Sequence, residues 1–248
     1  MSVRSILARV AADMAGRPGV ELVGHPSGPS ESKVIAEDAA RNVAVSDSFA
    51  LHGGRTAWAS SIQVAGHLYV RFNAAFAMAW AASPSPHAPS AAATTWARET
   101  RAAAAATGGH WYRGSEVNAF TATTVVGHTA APLSFLTTVL RQFRTAPPGA
   151  VGKGRVAPLG ATSVLPLLYP HQGVVLEVST GPTPLIVGVT LDLPGYAPTQ
   201  FLVSWPRALT ISGPTATTSV CDVVHRSNYA GFTRLNGNRA AQFPQCDR

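Results

Sequence analysis

The residues best suited to chemistry lie together in VAGHLYVRFN, residues 64–73. His67 and Tyr69 can transfer protons and Arg71 can hold an anion, so the three could form a catalytic cluster. They also occupy every second position, and apolar residues fill the positions between and after them: Leu68, Val70 and Phe72. Such alternation is typical of a β-strand with one buried face. Because no nucleophile with an orienting acid lies beside them, the pattern favours the outer face of a β-hairpin over a catalytic site.

Other patterns that resemble catalytic or metal sites also have simpler interpretations. HGGR at 52–55 could supply oxyanion-hole amides, but that role needs a serine in a G-x-S-x-G elbow, and GHPSG at 24–28 has the wrong spacing. A glycine turn between strands is therefore favoured. The eight histidines lie singly, and the one adjacent acidic pair, Glu37 and Asp38, is expected in a solvated turn. We predict no catalytic residue, no metal site and no cofactor, and hence a protein that is not an enzyme. A hydrolase would need a Ser or Asp near a His in a cleft.

The charge of the chain bears on its partners. The formal net charge is +7, yet only 12% of the residues are charged, and the 19 basic residues are mostly scattered arginines. Nucleic-acid binding needs a concentrated basic patch, interleaved aromatic side chains or a known binding motif, and the sequence has none of these. The charge therefore argues against a nucleic-acid partner and better suits anionic lipid head groups or polyanionic envelope polymers.

The first residues predict an amphipathic helix that ends near Gly16 and Pro18. Its apolar positions are Val3, Ile6, Leu7, Val10 and Met14. Arg9 and Asp13 interrupt this stretch, so the sequence as given lacks the apolar region of a signal peptide. No run of about 18 apolar residues occurs anywhere in the chain. Two alternatives stay open: a cytoplasmic protein, or a natural start that lies further upstream.

Short alternating segments bounded by turn residues predict antiparallel strands through much of the chain. In the second half these segments are 152–160, 164–169, 173–179, 184–191 and 199–205. They share one apolar face, formed by Val174, Leu176, Val178, Leu185, Val187, Val189, Leu191, Phe201, Val203 and Trp205. Helices are predicted at 92–106 and 131–145, and they are the available cover for this face. The predicted fold class is α+β with an antiparallel sheet.

The order of the segments carries a family resemblance. After the first helix come a strand pair near GVELVG, the hairpin with HLYVR, an Ala-rich insertion, GGHWYR, PLSFLTTVLRQF, GKGRVAPLG, GVVLEVSTGPTPLIVGVTL and FLVSW. Over residues 3–210 this order resembles actinobacterial cell-envelope lipoproteins of the LppX/LprG type, whose fold is similar to that of the lipoprotein carriers LolA and LolB. The resemblance implies a domain over 1–212 with a curved antiparallel β-sheet, a half-barrel, and helices packed on its concave face. Family members begin with a signal peptide and a lipid-modified cysteine, which this sequence does not show.

The resemblance also implies a function. It indicates a non-catalytic protein of the cell envelope that binds or carries a lipid, an acylated glycolipid or another apolar ligand between sheet and helices, with a membrane surface as a further partner. Abundant Ala and Gly in 74–109 would leave room for such a ligand. The candidate lining residues are Leu136, Leu140, Phe143, Leu176, Val187, Val189 and Phe201. They could equally form a closed, dry core, and the protein would then be a structural or interaction domain of the envelope.

Residues 213–248 are polar and are predicted to form a poorly packed tail. This tail carries both cysteines of the chain, Cys221 and Cys246. A disulfide between them would contribute about 3.5 kcal/mol on the chain-entropy model. Two free thiols are an equal alternative.

Overall fold

The computed structural model describes residues 1–25, 30–51, 53–79, 90–114, 131–192, 194, 198–219 and 222. The helices are α1 (Val3–Ala15), α2 (Ala74–Ala79), α3 (Ser90–Thr107) and α4 (Pro132–Thr145). The strands are β1 (Gly19–Gly24), β2 (Glu31–Asp38), β3 (Val43–Ala50), β4 (Thr56–Val64), β5 (His67–Phe72), β6 (Tyr112–Arg113), β7 (Gly152–Lys153), β8 (Ala157–Leu159), β9 (Thr162–Tyr169), β10 (Val174–Ser179), β11 (Ile186–Leu191) and β12 (Thr199–Ser204). Every strand pair whose register the structure defines is antiparallel, and the order of the strands does not close into a ring. The predicted fold class, α+β with an antiparallel sheet, is confirmed. Among the described residues, no helix combines the length and the apolar character needed to cross a bilayer.

The chain divides into two compact units, Met1–Val43 with Thr129–Ile211, and Ala44–His128 with Ser212–Arg248. In the first unit the strands follow the order β2-β1-β12-β11-β10-β9, and both β7 and β8 pair with β9. Strand β1 therefore pairs with β12, which comes from the other end of the chain. Helix α4 contacts β1, β2 and α1. Helix α4, from the middle of the chain, thus packs on the β1–β2 pair and on the N-terminal helix.

Helix α1 buries the apolar stripe that its sequence predicts. The buried residues are Ile6, Leu7, Val10 and Met14, spaced so that they lie on one side of a helix. At its start the Ser2 side chain accepts a hydrogen bond from the backbone N–H of Ser5 at 3.2 Å. Gly16 follows the last turn. The predicted amphipathic helix is confirmed.

A β-bulge changes the predicted face of β11. Opposite β10, Val178 pairs with Ile186 while Glu177 pairs with Gly188, so Val187 is an extra residue in the ladder. Ile186 is fully buried and Val187 is half-buried. The uninterrupted alternation predicted for Leu185, Val187 and the residues after them is therefore wrong. The shift comes from the pairing with β10, which the sequence of β11 alone does not reveal.

In the second unit, β4 and β5 form the predicted hairpin. Val64 pairs with His67, and the turn residues Ala65 and Gly66 have φ of 50° and 80°. Positive φ at both positions is the geometry of a type I′ turn, whose twist matches that of the two strands. The glycine turn predicted before β4 is also present, since Gly53 and Gly54 both have positive φ; His52 itself lies outside the described residues.

The inner face of this hairpin packs on α2 and on Tyr112. The core cluster consists of Ala57, Ala59, Val70, Phe72, Phe76, Ala77, Ala104 and Tyr112. Tyr112 stacks on Phe72 with ring centroids 5.9 Å apart, and its burial raises the pKa of the phenol. The alanines let the helices approach the strands closely.

Gly173 is the backbone position where we expect a methyl group to be most disruptive. It has φ of 59°, and a Cβ there would collide with the backbone carbonyl of Asp192. We expect Gly173→Ala to lower the free energy of unfolding by about 1–3 kcal/mol. The reason is twofold: alanine is strained at this positive φ, and its Cβ would collide with backbone rather than with a flexible side chain. Thermal unfolding followed by circular dichroism measures the loss. In the control Gly181→Ala the new Cβ meets no atom within 4 Å, so Tm should barely move. Equal Tm values for the two variants would contradict the structure around Gly173.

Candidate ligand groove

A groove lies between α1 and α4 in the first unit. Its volume is about 830 Å³, within the range of about 300–1,000 Å³ usual for small-molecule sites. Thirteen residues line it: Ala11, Met14, Ala15, Glu37, Arg41, Ala131, Leu133, Ser134, Thr137, Thr138, Leu140, Arg141 and Arg144. All belong to the first unit.

The two helices give the groove two different walls. Helix α1 contributes only Ala11, Met14 and Ala15, which are apolar and mostly small. Helix α4 contributes a polar row at the three- and four-residue spacing of one helix face: Ser134, Thr137, Thr138, Arg141 and Arg144. The buried apolar side chains of the lining, Met14 on α1 and Leu140 on α4, form its floor. The groove is therefore amphipathic.

Glu37, at the end of β2, organises the beginning of α4. Its Oε2 accepts a hydrogen bond from the backbone N–H of Leu133 at 2.7 Å, and its Oε1 accepts one from Arg41 Nη1 at 2.8 Å. Ala131, which precedes α4, offers no side-chain cap, so the carboxylate of Glu37 satisfies a free N–H of the first turn. Only 2% of the Glu37 side chain is exposed, whereas 65% of the Arg41 side chain is exposed.

The prediction that Glu37 and Asp38 lie in a solvated turn is wrong. Both are buried, because each carboxylate receives hydrogen bonds from backbone that lies far away in the sequence. Asp38 Oδ2 accepts from the N–H of Ile211 at 2.9 Å. Neither contact leaves a local sequence signal, since the partner of Glu37 is 96 residues distant and that of Asp38 is 173 residues distant.

Arg41 enters the groove from a strained backbone position. Its φ is 66°, a left-handed conformation that costs a non-glycine residue about 1–3 kcal/mol. Asp38 Oδ1 holds the turn by accepting hydrogen bonds from the N–H groups of Ala40 and Asn42, both at 2.9 Å. Burial raises the pKa of Asp38, but the hydrogen bonds from Ile211, Asn42 and Ala40 outweigh it and hold the pKa below its ordinary value.

A second, smaller cavity of about 110 Å³ lies further along the same two helices. It is lined by Val3, Arg4, Leu7, Phe143, Arg144, Ala146, Pro147, Pro148, Gly149 and Val151. Arg144 lines both cavities.

The predicted lining residues fall into three groups. Leu140 lines the groove and Phe143 lines the smaller cavity. Three others are fully buried, with no exposed surface: Leu136, Leu176 and Val189. The remaining two, Val187 and Phe201, are half-buried, and Phe201 pairs with Val189 across β11 and β12. Whether any of them contacts a ligand stays a prediction. Cys221 and Cys246 lie outside the described residues.

The outer face of the hairpin holds the His67, Tyr69 and Arg71 row. The guanidinium of Arg71 lies over two indole rings, 5.2 Å from the centroid of Trp58 and 5.9 Å from that of Trp111. This cation–π packing gives Arg71 a structural role. In the described part of the chain, no group of three or more His, Cys, Asp or Glu residues is placed to hold a metal ion.

The beginning of the C-terminal segment contacts the same face of the second unit. A Cβ at Gly213 would lie 3.5 Å from the ring of Tyr69, and the N–H of Thr218 donates to the carbonyl of Trp111 at 2.8 Å. Residues 212–219 are thus attached to the hairpin in the described structure. Beyond Ser219, only Asp222 is described.

Of three comparisons with known proteins, the search of solved structures found a match. No protein-family model and no curated protein matches the sequence. Among solved structures, the chain is similar to the crystal structure of the lipoprotein LppX from Mycobacterium tuberculosis, with a TM-score of 0.42 and 11% sequence identity. The similarity covers 85% of this chain and 100% of that chain. The fold class given above rests on the strand pairing of this chain itself.

Proposed function

We propose that the protein is a non-catalytic binding protein of the cell envelope that holds a lipid or another amphipathic ligand in the groove between α1 and α4. The observation that carries this proposal is the apolar floor and α1 wall of a groove of about 830 Å³, which faces a row of polar side chains. An acyl chain would lie along Ala11, Met14 and Leu140, since burial of apolar surface drives such binding. An acylated glycolipid fits the same arrangement, with its hydroxyl groups toward Thr137 and Thr138.

A bulky residue on α1 tests this proposal. We expect Ala11→Trp to reduce binding of a neutral probe, pyrene-labelled diacylglycerol, by about tenfold or more, because the indole would fill the groove. Fluorescence titration measures the affinity, and mass spectrometry of an organic extract of the protein purified from its native host identifies the natural ligand.

Ala12→Trp is the matched control, because Ala12 is exposed on the same helix and does not line the groove. This variant should bind the probe like the unmodified protein. Equal binding by both tryptophan variants, or no binding by the unmodified protein, would refute the proposal.

A second candidate is a structural or interaction domain of the envelope that has no ligand. The complete burial of three predicted lining residues favours it, because Leu136, Leu176 and Val189 have no exposed surface for a ligand to contact. A lipid-free extract together with no probe binding would select this candidate.

A further inference from the structure

The groove contains far more hydrogen-bond donors than acceptors that are free to bind. Arg41, Arg141 and Arg144 each carry a guanidinium, which donates and never accepts. Three hydroxyl groups stand beside them on α4, those of Ser134, Thr137 and Thr138. Glu37 is the one acid among the thirteen lining residues, and both of its oxygens already accept hydrogen bonds.

Two of the guanidinium groups are left to a ligand. Arg141 and Arg144 are exposed and three positions apart on α4. Within the described part of the chain, neither side chain has a hydrogen-bond or ion-pair partner. The lining therefore carries an excess of two positive charges over its single, already paired, carboxylate.

The third guanidinium is placed by strained backbone. Arg41 adopts φ of 66°, and the turn that holds it is fixed by Asp38 through hydrogen bonds to Ala40 and Asn42. A glycine or asparagine would adopt this conformation at lower cost. Strain that surrounding structure enforces is often found at ligand sites, where it fixes a functional side chain. Here it directs an arginine to the end of the groove where α4 begins.

We propose that the groove recognises an anionic group with several oxygen atoms, a phosphate or a carboxylate, through Arg141 and Arg144, while Arg41 adds positive charge at the end of the groove where α4 begins. This inference rests on the proposed function and specifies its ligand: the apolar chain lies against α1 and the anion lies against α4. Guanidinium groups suit such anions because two N–H groups of one arginine can reach two oxygens at once.

The test compares two probes that share acyl chains but differ in charge, pyrene-labelled phosphatidylglycerol and pyrene-labelled diacylglycerol. We expect the double variant Arg141→Gln/Arg144→Gln to weaken binding of the anionic probe by about tenfold or more and to leave the neutral probe unaffected. The control is Arg98→Gln/Arg101→Gln, which removes the same charge at the same spacing from exposed positions of α3. This control should bind both probes normally.

The remaining outcomes separate the two proposals. Equal binding of the anionic probe by the α4 variant and the unmodified protein overturns the anion site and leaves lipid binding intact. An equal loss for both probes also overturns it, because the arginines would then act on the groove as a whole. Titration with inorganic phosphate by calorimetry identifies the source of the anion. Binding of phosphate that depends on Arg141 and Arg144, without binding of either probe, supports the anion site and refutes the lipid proposal.

Discussion

Replacing Leu176 by alanine should lower the free energy of unfolding by about 3–4 kcal/mol, the usual range for a leucine whose cavity cannot collapse. None of the Leu176 side chain is exposed, and its partners across the sheet, Leu167 on β9 and Val189 on β11, are equally buried. These neighbours are fixed by strand pairing, so they cannot move in to fill the space. Urea unfolding followed by fluorescence measures the change.

The matched control is Leu202→Ala on β12. Leu202 is 49% exposed, so the same truncation should cost only about 0.5 kcal/mol or less. A cost below about 1.5 kcal/mol at Leu176 would mean that its surroundings are already loosely packed. Leu176 would then become a credible cavity residue, as the sequence predicts. Probe binding by the folded variant gives a second measurement: it should be unchanged if the ligand lies between α1 and α4.

Removing the carboxylate of Asp38 should destabilise the protein about as much as Leu176→Ala does. We expect Asp38→Ala to lower the free energy of unfolding by about 3–5 kcal/mol. The carboxylate accepts four hydrogen bonds: from the N–H groups of Ala40, Asn42 and Ile211, and from the side-chain amide of Asn42. Alanine leaves these donors without their acceptor in a buried place. The variant should also loosen the turn that carries Arg41.

Lowering the pH should reproduce part of this loss of stability in the unmodified protein. The pKa of Asp38 is lower in the folded protein than in the unfolded chain, so the unfolded chain takes up a proton first as the pH falls. The stabilisation is therefore complete above the unfolded pKa of about 3.9 and is lost as the pH falls through the folded pKa. The free energy of unfolding, measured between pH 7 and pH 2, reports how stability declines with pH.

Asp38→Asn separates the charge from the hydrogen bonds. The amide oxygen can still accept from Ala40 and Asn42, but the NH₂ group faces the donor N–H of Ile211. We expect a smaller loss of stability than for Asp38→Ala and a shallower decline in acid, because this side chain no longer titrates. An unchanged acid slope in Asp38→Asn would show that other carboxylates dominate the acid response.

Local periodicity was enough to predict several elements of this protein. The buried stripe of α1, the helix α4 and the β4–β5 hairpin all follow from residue spacing. Helical and extended backbones have fixed periods, so the sequence decides which side chains share a face before any partner is present. The same reasoning placed His67, Tyr69 and Arg71 together on one strand face.

Only the tertiary structure decided the bulge at Val187, the burial of Glu37 and Asp38, and the groove itself. Each depends on pairing between segments distant in sequence: β10 sets the register of β11, and the N–H of Leu133 reaches Glu37 across 96 residues. The walls of the groove come from α1 and α4. In the sequence of either helix alone, the lining residues look like ordinary small or solvent-exposed positions. A sequence pattern specifies which residues share one face of a helix or strand. A binding groove forms only where two such faces meet, and the packing of the folded chain determines which faces meet.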